Sequence, residues 1–227
     1  MLIRSAASVL ALALMGPVLA APAMAQDTAP AGAPAAEIAI VDDIVLGDQS
    51  APLTIVEYAS FTCGHCAAFH DENFSRLKSE YIDTGKVRFI QRDVYFDAPG
   101  LWAGILARCG GDAKYYAVSD MLFDEQKTWL AGGSADEIAA GLRKIGLKAG
   151  MSDEQMTACW NDEAKAQSLI ATFQKNATAD KIEATPTFVV GGDTVMNQPW
   201  EDMKKVIDAK LAEADDSGPA KDGAATN

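Results

Sequence analysis

Positive charge is scarce in this chain. Nineteen lysines and arginines stand against 32 acidic residues, giving a net charge of −13. Such a surface cannot neutralise a phosphate backbone, which argues against nucleic-acid binding. Cysteine is sparse too, with four in 227 residues. The sequence holds a single Cys-x-x-Cys, Cys63-Gly64-His65-Cys66. The paired Cys-x-x-Cys pattern of a structural zinc site is missing, so no metal and no separate cofactor is expected. The one long apolar run is N-terminal, and Pro17 interrupts it short of the about 20 residues that a membrane anchor needs. There is no internal repeat, and 26–40 carries no heptads, so a monomer is expected.

What is present is a chain of 49% apolar residues, enough for one well-buried domain or a domain with an inserted lobe. Arg4, an apolar core at 8–14, and Ala23-Met24-Ala25 before Gln26 have the order of a secretory signal peptide. Residues 1–25 are therefore expected to be cleaved, and no cysteine follows the core to carry a lipid. Export changes what the cysteines mean. In an oxidising compartment an even count suggests disulfides, and four cysteines allow three connectivities. The short spacing favours Cys63–Cys66, which leaves Cys109 with Cys159.

Residues 26–36, rich in Ala and Pro, read as a disordered linker. The run 37–46, with Ile38, Ile40, Val41, Ile44 and Val45, reads as a short strand. Leu53-Thr54-Ile55-Val56-Glu57-Tyr58-Ala59 predicts a buried strand. Phe69, Phe74 and Leu77 then predict a helix from Cys63 to about Tyr81. A second strand at 87–94 completes a strand–helix–strand unit, which normally pairs in parallel. From 100 to 179 the pattern is helical, broken at Gly110-Gly111. Ser134-x-x-Glu137 is a capping box opening a helix that Gly146 is expected to end. Thr187-Phe188-Val189-Val190 and a hairpin turn at Gly191-Gly192-Asp193 follow. Pro199 starts a last amphipathic helix reaching 211, and 212–227 read as a frayed tail. The expected organisation is α/β: a discontinuous strand-bearing domain, 37–99 and 180–211, around an all-helical insertion, 100–179.

The cysteine motif falls where a strand feeds a helix N-terminus. Unpaired N–H groups and the positive end of the helix dipole favour a thiolate at Cys63, and the thiolate is the species that reacts in disulfide exchange. Cys66, one turn in, would be shielded and close enough to bond back. His65 can donate to, or pair with, that thiolate. Glu57 is an acid in an otherwise apolar strand; it is either buried and used, or solvated at a wet strand end. His70 reads as a helix-face residue with a local hydrogen bond. Cys109 and Cys159 fall on apolar helix faces and read as a structural pair, with two buried free thiols as the alternative.

The stretch Glu57-Tyr58-Ala59-Ser60-Phe61-Thr62-Cys63-Gly64-His65-Cys66-Ala67-Ala68-Phe69-His70, with Thr185-Pro186-Thr187-Phe188, resembles the DsbA-like thiol:disulfide oxidoreductases. The resemblance covers about residues 43–211. It implies a thioredoxin-like fold with an inserted helical domain. It also implies a periplasmic enzyme whose redox-active disulfide, Cys63–Cys66, is donated to newly exported proteins that contain cysteine. It further implies a DsbB-type membrane partner for reoxidation, a cis Pro186 facing the active site, and Thr185 offering backbone bonds to a substrate. Glu57 would lie behind the disulfide and relay the Cys66 proton. The pair Cys109/Cys159 resembles a subgroup, mostly alphaproteobacterial, with a second disulfide. Two departures stand out. Gly64 occupies a position where many members have proline, so that Gly-His resembles protein disulfide isomerase. Tyr95 replaces the proline of the family's Arg-Asp-x-Pro. An isomerase or reductase of the same fold is the near alternative, and a non-catalytic periplasmic binding or chaperone module the distant one.

Overall fold

The run Leu53-Thr54-Ile55-Val56-Glu57-Tyr58-Ala59 becomes β2 (Leu53–Ala59), the central strand, buried on both faces as its near-continuous apolar sequence requires. The structure is a computed structural model and describes residues 38–216. The expected signal peptide at 1–25, the linker at 26–36 and the segment 217–227 lie outside the described residues. β2 pairs in parallel with β3 (Val87–Asp93), in register from Leu53↔Val87 to Ala59↔Asp93. On its other side it pairs antiparallel with β4 (Thr187–Val190). β1 (Val45–Leu46) and β5 (Asp193–Met196) form the edges, in the order β1-β3-β2-β4-β5. Gly191 and Gly192, with φ of +58° and +95°, supply the two left-handed residues of the tight β4–β5 turn.

The expected strand at 37–46 shrinks to Val45–Leu46. β3 offers it partners only at Ile90 and Phe89. Upstream, Val41 N–H donates instead to Thr172 Oγ1 at 2.9 Å, and Ile38 and Ile40 are exposed.

The helix expected from Cys63 to Tyr81 is helical throughout but not uniform. It runs as α1 (Gly64–Phe69), a π turn (His70–Phe74), α2 (Ser75–Leu77) and a second π turn (Lys78–Ile82). In a π turn, residues five apart come to one face. Phe69 and Phe74, then Leu77 and Ile82, take that five-residue step, and all four are buried with Leu53, Ile55, Phe89 and Phe188. The last helix, α9 (Trp200–Asp216), closes the same core with Trp200, Met203 and Ile207. It extends past the expected end at 211. Leu211 still packs on this core, Lys210 pairs with Glu213 at 2.8 Å, and the residues beyond are mostly good helix formers.

Six helices lie between β3 and β4: α3 (Ala98–Cys109), α4 (Asp112–Asp124), α5 (Gln126–Trp129), α6 (Ala135–Lys148), α7 (Asp153–Trp160) and α8 (Glu163–Ala179). The capping box forms at Ser134 and Glu137. Gly146 does not end α6 but lies inside it, where a Cβ would overlap Met156 Sδ, so the glycine lets α6 and α7 approach. Leu106, Tyr115, Val118, Leu122, Trp129 and Met156 pack with Ala59, Phe61 and Cys66 in one core. The helices therefore sit over the active-site end of the sheet. The end of α8 instead covers the other sheet face, with Phe173 and Ala177 against Val56, Tyr58 and Ile90. The architecture is the thioredoxin-like α/β fold with inserted helices.

Cys109 of α3 and Cys159 of α7 form a disulfide, with Cα atoms 5.9 Å apart and a sequence separation of 50. By loop entropy such a link stabilises by about 4 kcal/mol. Replacing both cysteines with alanine is expected to lower Tm by about 8–16 °C for a domain of this size. A melt of that variant within a degree or two of the parent would show the bridge to be thermodynamically idle.

Candidate active site

Cys63 is the N-cap residue of α1, its extended backbone (φ −85°, ψ 117°) turning the chain from strand to helix. Its N–H donates to Ser60 O at 3.0 Å, and its carbonyl accepts from Ala67 N at 3.2 Å. Cys63 is half-buried and Cys66 fully buried, both as thiols. The Cys63 thiol is pulled down to about 5. The main cause is a hydrogen bond from the Cys66 thiol to its sulfur; partial burial opposes it, and the Thr185 side chain and the backbone N–H groups of Cys66 and His65 add to it. The same bond, followed by burial and the charge of Glu57, pushes the Cys66 thiol far up. The two thiols therefore split sharply: one is an anion at neutral pH, the other holds its proton.

The Thr185–Pro186 peptide is cis and faces this pair. When Cys63 is protonated, its Sγ–H donates to the Thr185 carbonyl at 3.5 Å. Gln126, from α5, is buried and donates through Nε2 to the carbonyls of Phe61 and Cys63, both at 2.9 Å. This clamp ties the helical lobe to the active-site loop, and nothing in the local sequence around Gln126 signalled it.

Glu57 is fully buried, which removes the reading of a wet strand end. Its Oε2 lies 3.0 Å from His70 Nε2. His70 is thus no helix-face residue with a local bond: it is 8% exposed and its partner is 13 residues away. The usable signal was its spacing, four residues past Cys66 on the buried face of the helix. His65 takes the opposite position. Its ring is exposed, and what it gives Cys63 is its backbone N–H. Gly64 is exposed as well, and a Cβ there would meet nothing within 4 Å. Cys63, Cys66, Thr185, Pro186 and Glu57 are gathered at one place; Cys109 and Cys159 link helices of the lobe.

Tyr95, at the departure from Arg-Asp-x-Pro, packs so close to Gly104 of α3 that a Cβ would come within 2.6 Å of its ring. Its hydroxyl donates to Asp93 Oδ2 at 3.3 Å.

The sequence profile described as Thioredoxin matches residues 40–209. The chain belongs to the thioredoxin family. A Rickettsia bellii protein named a protein-disulfide oxidoreductase is 33% identical over 174 residues, covering 76% of this chain and 66% of that protein. A Rickettsia typhi protein of the same description is 33% identical over 171 residues, 75% of this chain and 62% of the relative. The chain thus spans less than two thirds of these relatives' own length. The crystal structure of Wolbachia pipientis alpha-DsbA1 superposes with a TM-score of 0.70 at 26% identity, covering 78% of this chain and 95% of that one. Within the thioredoxin family the chain is DsbA-like.

The thiol asymmetry has a pH signature. Folding lowers the Cys63 thiol from its ordinary 9.0 to about 5, so the stability gained by the reduced protein is fully present above about pH 9. It is lost as pH falls through about 5. Thiolate absorbance at 240 nm is expected to titrate near pH 5 in the reduced protein and to vanish in Cys63→Ser. With Cys109–Cys159 left bridged, the reduced protein is expected to melt above the oxidised one at pH 7 and to lose that advantage below pH 5. Equal melting at pH 7 would contradict the thiolate's stabilising role.

Proposed function

We propose that this chain is an exported thiol oxidase that donates the Cys63–Cys66 disulfide to cysteine-containing proteins. The observation that carries the reading is the split between an accessible, acidic Cys63 and a buried, proton-retaining Cys66. In the oxidised enzyme a substrate thiolate attacks Cys63 Sγ, the reachable sulfur. The Cys63–Cys66 bond breaks, and Cys66 takes up a proton. A second substrate thiolate then attacks its own sulfur in the mixed disulfide, forms the substrate's disulfide and expels Cys63 as a thiolate. A thiol of low pKa is a good leaving group, and its stabilised thiolate favours the reduced enzyme, which makes the disulfide oxidising.

The backbone of Thr185, before the cis proline, fits a short extended substrate segment laid beside Cys63. The N-terminal sequence supports export, and the relatives' names support disulfide chemistry on protein substrates. The periplasm, a monomeric state and reoxidation by a DsbB-type membrane protein follow from the same reading. No metal or organic cofactor takes part, since the disulfide itself carries the two electrons.

Two measurements test this. Reduced Cys66→Ser is expected to attack a substrate protein that carries a disulfide and to accumulate as a mixed disulfide through Cys63, one substrate thiol being released, detectable by mass, whereas Cys63→Ser forms none. The reduction potential in glutathione buffers is expected nearer DsbA's own, about −120 mV, than thioredoxin's, about −270 mV. A value at the thioredoxin end would make the protein a reductase or isomerase.

A further inference from the structure

Gln126 opens α5, a helix of only four residues, yet it is 5% exposed and its side chain reaches into the active-site loop. Its Nε2 donates to the carbonyl of Phe61 and to that of Cys63, each at 2.9 Å. A primary amide has two N–H donors, so both are committed to these two acceptors. The Cys63 carbonyl also accepts from Ala67 N at 3.2 Å, the first hydrogen bond of α1. The carbonyl of the nucleophile is therefore held from two sides, by its own helix and by the lobe. The lobe fixes Gln126 in turn. Trp129 Nε1 donates to Leu122 O at 2.7 Å, which folds α5 back on α4. Glu125 pairs with Lys148 of α6 at 2.7 Å, and Gly141 of α6, where a Cβ would come within 2.9 Å of Trp129 Cα, lets that helix pack close. Phe61 lies against Phe123 of α4 with ring centroids 4.9 Å apart, so loop and lobe also meet by apolar contact.

We propose that Gln126 is a positioning residue for Cys63: from the helical lobe it fixes the carbonyls on either side of Thr62 and so keeps the start of α1 turned toward the nucleophile's sulfur. This rests on the oxidoreductase reading. The clamp acts on one redox state more than on the other. In the disulfide, the bond to Cys66 Sγ itself holds the Cys63 sulfur in place. In the reduced protein that bond is absent, and the N–H groups of His65 and Cys66 reach the sulfur only while loop and helix keep their relative orientation. A loop free to shift visits arrangements in which those donors miss the sulfur, and a thiolate loses more by that than a thiol does. Loss of the clamp therefore weakens the thiolate, and with it the reduced state. The charged groups around Gln126 are Asp124 and Lys127 beside it and Asp71 and Glu72 of the π turn, which line one groove with it and Gly64, and Glu125, which is tied to Lys148. None of these side chains bonds to Cys63 or Gln126 in the structure, so the amide acts on the loop through its own two hydrogen bonds.

With glutathione, one enzyme dithiol and one oxidised glutathione give one enzyme disulfide and two reduced glutathiones, so the equilibrium reads the stability of the reduced state directly. Gln126→Met keeps an unbranched side chain of similar size without either donor. Its Cys63 thiolate, followed at 240 nm, is expected to form about tenfold less readily than the parent's, with a midpoint at about pH 6. At pH 7 its glutathione equilibrium is expected to move about tenfold toward the enzyme disulfide, a potential about 30 mV more negative. Ser134→Ala removes the cap of α6 and weakens the same lobe away from the clamp. It is expected to melt lower while keeping the parental thiolate and equilibrium. Parental titration and equilibrium in Gln126→Met, or a Ser134→Ala protein shifted as far as Gln126→Met, would overturn the inference. If Gln126→Met does not fold, the parent decides. Coupling is reciprocal, so the Gln126 side-chain amide resonances are expected to shift with the midpoint of the Cys63 thiolate, and resonances that stay fixed through that titration would overturn the inference as well. A parent protein whose Cys63 neither ionises below pH 7 nor exchanges with glutathione would instead overturn the oxidoreductase reading.

Discussion

The mutual effect of the neighbouring thiols of Cys63 and Cys66 is the constraint around which the rest is built. It serves opposite ends at once, stabilising a thiolate on one sulfur and fixing a proton on the other. It needs a helix start, because the N–H groups of His65 and Cys66 finish the thiolate's solvation. It also needs a wall that buries one sulfur and leaves the other half-exposed. β2 provides the first by ending at Ala59 and letting Ser60 turn the chain into α1. The helical lobe provides the second, since Cys66 lies in the core with Leu106, Val118 and Leu122. Burial thereby fixes which sulfur is within reach from outside, and it leaves the Cys66 proton on the inner side.

That wall is located by polar contacts as much as by apolar area. Asp93, at the end of β3, is buried and accepts from Tyr115 at 2.6 Å, from Gln91 at 3.1 Å and from Tyr95 at 3.3 Å. Burial raises its carboxyl, and the nearby Arg108, with Nε 3.7 Å away, counters this. Buried pairs of this kind contribute little net stability, but removing one partner strands the other at a cost of about 3–5 kcal/mol. Their effect is on orientation. Asp93 ties β3 to α3 and α4, while Gln126 ties α5 to the loop at Phe61 and Cys63. Because these bonds are directional, the lobe can close over Cys66 in only one way, and Phe123 is delivered onto His70 by the same docking.

Much of this was legible in the sequence, for identifiable reasons. The central strand was readable because burial on both faces leaves an uninterrupted apolar run. The placement of Cys63 and Cys66 one turn apart at a helix start was readable because the motif directly follows a strand-like run and precedes a helical pattern. The bridge of Cys109 and Cys159 followed from spacing and resemblance. What escaped notice depends on long-range pairing. Glu57 finds His70 and Gln126 finds two carbonyls only once the chain is folded. The two π turns left a trace in the five-residue steps from Phe69 to Phe74 and from Leu77 to Ile82, which a helical pattern of three and four absorbs without protest. Gly146 misled because a glycine near a helix end resembles a stop, whereas here its missing side chain makes room for Met156.

The dipeptide between the cysteines can be understood in the same terms. The thiolate is held by N–H groups of His65 and Cys66, and none of the bonds that lower it comes from Gly64. A proline at position 64, common among members of the family, would therefore remove no donor, and the first helical position is where its missing N–H costs least. Gly64 takes no left-handed conformation, and a side chain there would point into open space. The glycine is thus demanded neither by backbone geometry nor by packing. What it changes is stiffness: glycine leaves the loop more conformations to lose, and proline fewer. The departure from proline acts on how firmly the cradle is preformed, and leaves its donor set unaltered. His65, exposed beside it, gives Cys63 its backbone N–H and leaves its ring to solvent.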